Sequence, residues 1–380
     1  MLCAAHDYEE MQSKRRANQF VVPLAVLTLL VGWLAPPAHS CTTIVLRDGT
    51  RVVFGSNFDW NVAEGLVFVN QRSMTRRSGG DPGANTAAWV ARFGSVTFNL
   101  AGRDLPDLGI NEAGLIVGTM MLEETGYPEA DDRASLADAS WVQYQLDTSA
   151  NVADVIASDR EVRITGPSPL HFLVADRSGA AATIEFLDGR MVVHTGDSLP
   201  VAALTNSTYE ESLRSIEGKT FSSWWWWPWG LPWGRASLDR FEVAAGRVQE
   251  FQSSPREDAV DYAFDTLRSV SQGGATPTQW TIVYDLRPGQ TLVHFRTRRS
   301  SEVKTIDLSR LNFGCSGSAE WIDIHHEAGG DVTSSFQPYS YEKNLELIRT
   351  TFRQIDFLKD LPDSVLQQVA ALSSTSRCAP

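Results

Sequence analysis

Short apolar runs bounded by turn residues dominate the chain beyond position 40, a pattern that predicts strands joined by hairpins. Residues 41–46 are a β-type run, Asp48-Gly49 supplies a tight turn, and residues 51–54 read as the return strand. The first strand of this hairpin is expected at a sheet edge. Residues 186–191 form a second hairpin around Asp188-Gly189, and residues 280–284 and 291–295 a third around Pro288-Gly289. Helical spacing covers 139–158, 237–251, 257–269 and 344–359, with a last helix over 362–372. Strands and helices in blocks, rich in hairpins and without an internal repeat, predict a layered antiparallel α+β sandwich.

The first forty residues follow a different pattern. Lys14, Arg15 and Arg16 precede an apolar run over 20–35, Pro36 and Pro37 break it, and Ala38-His39-Ser40 puts small residues at −3 and −1 of a cleavage site. We expect a signal peptide cleaved after Ser40, a mature chain starting at Cys41, and a periplasmic or secreted protein; the alternative is an uncleaved anchor helix. The chain has 380 residues and a formal net charge of −13, which argues against nucleic acid as a partner because no basic excess is available for phosphates. Of the four cysteines, Cys3 leaves with the leader. Cys315 and Cys378 are expected to pair in an oxidising compartment, against the alternative of two separate buried thiols.

That leaves Cys41. A lipid-attachment cysteine needs leucine at −3, where this chain has Ala38. An N-terminal nucleophile needs only its own free amine. With unperturbed pKa values of about 8.5 for thiol and about 8 for amine, proton transfer between them is nearly thermoneutral. The flanking segments are Gly55-Ser56-Asn57-Phe58-Asp59-Trp60, Gly109-Ile110-Asn111-Glu112-Ala113-Gly114-Leu115, Leu204-Thr205-Asn206-Ser207 and Asp239-Arg240-Phe241. In this order they resemble the choloylglycine hydrolase family, the bile salt hydrolases and penicillin V acylases. The resemblance runs over about residues 41–312 and implies an αββα N-terminal-nucleophile sandwich, two antiparallel sheets between helical layers. The remainder, 313–380, is expected as a helical extension packed on that domain.

The resemblance implies roles residue by residue. Cys41 matches the nucleophile, Asp59 the aspartate that orients the α-amine, Asn206 the side-chain oxyanion donor, and Arg240 the arginine beside the nucleophile. The second oxyanion donor is a backbone N–H, here that of Met121. Asn206-Ser207-Thr208 is also a glycosylation acceptor pattern, and a glycan would cap the donor nitrogen. Ser56 stands where family members often carry arginine, which leaves Arg240 to supply the charge. A homotetramer is also implied.

Half of the twelve tryptophans lie within 224–233, a stretch whose prolines and glycine predict a loop. Three uses compete for it: an acyl-pocket wall, a subunit contact, and a peripheral membrane contact. Trp60, Trp224, Trp227 and Trp229 are the candidate substrate-binding aromatics. His325-His326-Glu327 lacks metal-site spacing, and neither metal nor cofactor is expected. The expected function is an exported N-terminal-cysteine amidohydrolase cleaving a linear amide of an N-acyl small molecule through an acyl-enzyme. The substrate types implied by the resemblance are penicillin V, conjugated bile salts and acyl-homoserine lactones. The alternatives are an inactive acyl-ligand-binding homologue and a membrane-attached lipoprotein modified at Cys41.

Overall fold

Turn chemistry places the hairpins where the sequence predicts them. In the computed structural model Thr42–Asp48 pairs with Arg51–Asp59, Asp48 opposite Arg51, and Gly49 sits at φ +56° between them. Ala181–Leu187 pairs with Arg190–Thr195 across Asp188 and Gly189, both at positive φ, the turn whose twist matches flanking strands. Thr278–Arg287 pairs with Gln290–Thr297. The structure describes residues 41–79, 85–217, 237–255, 258–315, 317–356, 358–373 and 376–379. The tryptophan-rich segment, with Trp224, Trp227 and Trp229, lies outside the described residues, as does the expected leader. Residues 39–380 form one compact unit.

Among the described residues the strands assemble into a seven-stranded and a nine-stranded sheet, with smaller two- and three-stranded sheets beside them. Pairing in both large sheets is antiparallel, except where Ser300–Asp307 meets the short strand Gly330–Asp331. The sheets face each other across an apolar core: Phe98 of the nine-stranded sheet packs edge-on against Tyr284 and Phe295 of the seven-stranded one. Helices Ser237–Ser253 and Ala259–Ser269 cover the outer face of the seven-stranded sheet, and Asp138–Thr148 that of the nine-stranded sheet. This is the expected αββα arrangement. Thr42–Leu46 is buried throughout because its sheet is covered on both faces.

Four local expectations are corrected. The strand after Cys41 is not at the sheet edge, since the two-residue strand Ala203–Leu204 pairs with Thr43 and Ile44 on its far side. The single helix over 139–158 is two. The Asn111 amide donates to the carbonyls of Leu146 and Ser149 (2.9 and 2.8 Å), closing Asp138–Thr148, and Asn151 caps a new helix, Val152–Ala157, by accepting from the Asp154 N–H. The helix over 344–359 is Tyr341–Phe352, capped by Ser340, after which the Arg353 guanidinium donates to the carbonyls of Lys359 and Leu361 and the chain turns. Finally, 313–380 is more than a helical extension. Its strand Glu320–Asp323 pairs with Leu66–Asn70, and Arg377–Cys378 pairs with Met74 and Thr75. Cys315 and Cys378 form the expected disulfide.

Candidate active site

Sheet register groups the site. Thr43 lies opposite Leu204 on one flank, and Thr42 opposite Asn57 on the other. Extending each antiparallel register by one or two residues brings Asn206 and the Phe58-Asp59 pair level with Cys41. Asp59 ends its strand opposite Thr278, where a bulge interrupts the pairing with Thr278–Arg287. Helix Ser237–Ser253 packs on Thr42–Asp48 and turns Arg240, 1% exposed, inward from its first turn.

Arg240 is the hub. One guanidinium nitrogen donates to the Cys41 carbonyl (2.5 Å) and to the Thr42 hydroxyl (2.8 Å), and the other to Asn206 Oδ1 (2.9 Å). The Asn206 amide is therefore oriented with its nitrogen away from the arginine, and Nδ2 donates to the Met121 carbonyl at 2.8 Å. An amide nitrogen carries two N–H groups, so one remains for another acceptor. The Asn206 backbone N–H is held by Ser237 Oγ (2.9 Å). Leu122 donates to the Pro169 carbonyl, and ladder bonds alternate, so the Met121 N–H and C=O both face away from the neighbouring strand Leu170–Ala175.

The electrostatics disfavour a thiolate at Cys41. Burial pushes the Cys41 thiol up to about 12, and the Asp59 charge adds to the rise; the Asp59 backbone N–H and Arg240 oppose it. Burial raises Asp59 to about 7 against the pull of Arg240 and of the Thr278 hydroxyl, which donates to its Oδ1 at 2.5 Å. The other oxygen, Asp59 Oδ2, is buried and has no hydrogen-bond partner among the described residues. Burial lowers the Arg240 pKa, and the Asp59 and Cys41 charges work against that.

Ser56 is 4% exposed and paired opposite Thr43, so the cation acting on the sulfur is Arg240. Trp60 is half-buried and stacks on Phe58 (6.4 Å), which stacks on Trp280 (4.2 Å); this anchors the end of the Asp59 strand. Asn111 serves the fold, as described above. His325 is spent in pinning, with Nε2 2.8 Å from the Ala63 carbonyl and Nδ1 3.2 Å from the Thr297 hydroxyl.

Sequence reasoning missed Asp107. Its carboxyl accepts from the Leu100 N–H at 2.9 Å, burial raises it to about 7, and its charge acts on Cys41. The only signal was a carboxylate two residues before Gly109. The sequence also gave no sign that His171 and Glu185 lie under the Asn206 segment.

The comparisons with known proteins point to one family of hydrolases. The family model for linear amide C–N hydrolases of the choloylglycine hydrolase family matches residues 41–218, beginning at Cys41 itself. A penicillin V acylase of Pectobacterium atrosepticum is 26% identical, over 86% of this chain and 97% of that relative. The structure of a penicillin V acylase from Agrobacterium tumefaciens superimposes with a TM-score of 0.65 at 25% identity, covering 79% of this chain and 98% of that one. A variant of the conjugated bile acid hydrolase from Clostridium perfringens shares the fold, with a TM-score of 0.61 at 16% identity over 79% of this chain and 97% of its own. These matches identify residues 41–218 with the choloylglycine hydrolase family and the chain as a linear amide C–N hydrolase.

Proposed function

We propose that this protein is exported, is cleaved after Ser40, and hydrolyses an N-acyl amide with Cys41 as its terminal nucleophile. The observation that carries the reading is the buried Asp59 Oδ2, which has no hydrogen-bond partner among the described residues and whose charge acts on the buried Cys41 thiol. Cleavage would turn the Cys41 amide nitrogen into an amine and give both groups what they lack. The amine takes the thiol proton, and Asp59 orients the resulting ammonium.

The thiolate then attacks the substrate carbonyl carbon. The oxyanion is held by the second Asn206 Nδ2–H and by the Met121 backbone N–H, a pair of donors worth roughly 3 kcal/mol each where such groups have been removed. The tetrahedral adduct collapses to a thioester as the departing amine takes the proton from the Cys41 ammonium. Water, deprotonated by the same amine, attacks the thioester; the carboxylic acid leaves and the thiol is restored. The penicillin V acylases among the relatives support a substrate with an apolar acyl group, and Met121 gives the pocket wall an apolar side chain.

The test is the intact mass of the protein from an exporting host, before and after one equivalent of iodoacetamide, alongside turnover of a panel of N-acyl amides. A mass starting at unmodified Cys41, one carbamidomethyl addition and loss of turnover in Cys41→Ser are expected. A retained leader, a lipid-sized increment, or full turnover in Cys41→Ser would end the proposal.

A further inference from the structure

The Asn206 segment is gripped from two sides. Ser237 and Arg240 hold it from the helix Ser237–Ser253, as described. On the other side are two fully buried groups the chemistry above does not use, His171 and Glu185. His171 Nε2 lies 2.7 Å from the carbonyl oxygen of Thr205, the residue before Asn206. His171 Nδ1 lies 3.3 Å from Glu185 Oε1, and that same oxygen accepts the backbone N–H of Tyr209 at 2.9 Å, which opens the helix Tyr209–Ile216. Glu185 Oε2 has His194 Nε2 at 3.8 Å. His171 also stands opposite Met120, one residue from the Leu170–Met121 pair. One imidazole thus sits on the strand beside Met121 and bonds the segment that carries Asn206.

The partners fix the protons. A carbonyl oxygen can only accept, so Nε2 carries its hydrogen. Nδ1 then faces a carboxyl oxygen, and the contact is favourable only with one proton between them, whichever atom holds it. The pair is neutral in total and uses its hydrogen-bonding atoms on two points of one segment, Thr205 and Tyr209. Asn206 lies between them. A buried pair with this connectivity rigidifies the segment it holds.

We propose that His171 and Glu185 are positioning residues of the oxyanion pocket, fixing the Thr205–Tyr209 segment so that Asn206 Nδ2 stays on the Met121 carbonyl. The catalytic consequence rests on the function proposed above; the geometric one does not. His171→Leu removes the donor to Thr205 and strands Glu185. His171→Gln keeps an N–H donor near the Nε2 position. Glu185→Gln cannot both accept from Tyr209 and supply the proton at His171 Nδ1 with one atom.

The experiment combines crystal structures and steady-state kinetics of the cleaved wild type and these three variants. The Asn206–Met121 contact is expected to be lost in His171→Leu and kept in His171→Gln. The kcat is expected to fall about 10–100-fold in His171→Leu, with KM changed by less than about threefold, and to recover most of that in His171→Gln. Glu185→Gln is expected to lie between. Should His171→Leu fail to fold, Glu185→Gln carries the same comparison. Alkylation of Cys41 by iodoacetamide, which needs no oxyanion pocket, should proceed at the wild-type rate in every folded variant. An Asn206 that keeps its contact in both His171→Leu and Glu185→Gln would overturn the proposal, as would a kcat loss matched by an equal loss of alkylation rate. Absence of Cys41-dependent turnover in the wild type would overturn the functional reading alone, because the displacement of Asn206 is read without turnover.

Discussion

At the scale of single residues, what matters most is whether the nitrogen of Cys41 is an amide or an amine. With the amide, Asp59 titrates at about 7 when folded and near its ordinary 3.8 when unfolded. Between those values the folded chain binds the extra proton, so stability falls as pH rises from about 4 to about 7 and levels off above. Asp107, raised to about 7, and Asp147, raised to about 6, act with the same sign. On the function proposed above, cleavage would set an ammonium beside Asp59 and keep its carboxylate charged, removing its part of the slope. A chain that keeps Ala38-His39-Ser40 ahead of Cys41 should therefore lose urea stability from pH 4.5 to 7.5 more steeply than the cleaved one. Asp59→Asn should reduce the slope of the longer chain to that of the cleaved one, leaving the part due to Asp107 and Asp147. Equal slopes in the two chains would contradict the placement of the amine against Asp59. That Cys41, Asn206, Arg240 and Met121 lie together was legible because each stands in a recognisable segment, such as the asparagine of Leu-Thr-Asn-Ser. Asp107 and His171 were not, since a lone carboxylate or imidazole gains meaning only from neighbours that the fold supplies.

At the scale of elements, hairpins were legible, and so were the helices over 237–251, 257–269 and 362–372, whereas the ends of those over 139–158 and 344–359 were not. Asp-Gly and Pro-Gly turns dictate backbone geometry over two residues, whatever surrounds them. The break after Thr148 depends on Asn111, more than thirty residues earlier, taking the last carbonyls of the helix. The disulfide was legible from compartment and cysteine count, but its setting was not: it fastens the strand Arg377–Cys378 beside Met74 and Thr75. The bridge spans 63 residues, and closing a loop of that size restrains the unfolded chain by about 4 kcal/mol. Cys378→Ala should lower the thermal midpoint by several degrees while leaving turnover per folded molecule unchanged. Thermal melts with and without reductant, paired with kinetics at 25 °C, would check this; unchanged melting would mean that the strand is held by its own pairing.

At the scale of the molecule, the class of fold was legible and the route of the chain through it was not. Layered α+β follows from local patterns plus resemblance, whereas pairings such as Glu320–Asp323 with Leu66–Asn70 join distant segments and leave no local trace. The expectation of a domain over 41–312 with a helical extension packed on it meets this directly. A chain ending at Asn312 would leave Leu66–Asn70 bare on one flank and remove Gly330–Asp331 from the other large sheet. We expect residues 41–312 alone to show no cooperative unfolding transition in urea and no turnover; a sharp transition would make the last segment an accessory.

The interleaved last segment also sets a clock. About 250 residues separate Leu66–Asn70 from the strand that completes its flank, a delay of roughly 12–50 s at ordinary synthesis speeds. For that interval the amino-terminal half keeps an open strand edge, which invites pairing with other chains. The same delay keeps the polypeptide threadable. If the chain is exported as proposed, a nine-stranded sheet that waits for the final sixth of the chain would let it pass a narrow pore as an unfolded thread and close the sheet, then the disulfide, on the far side.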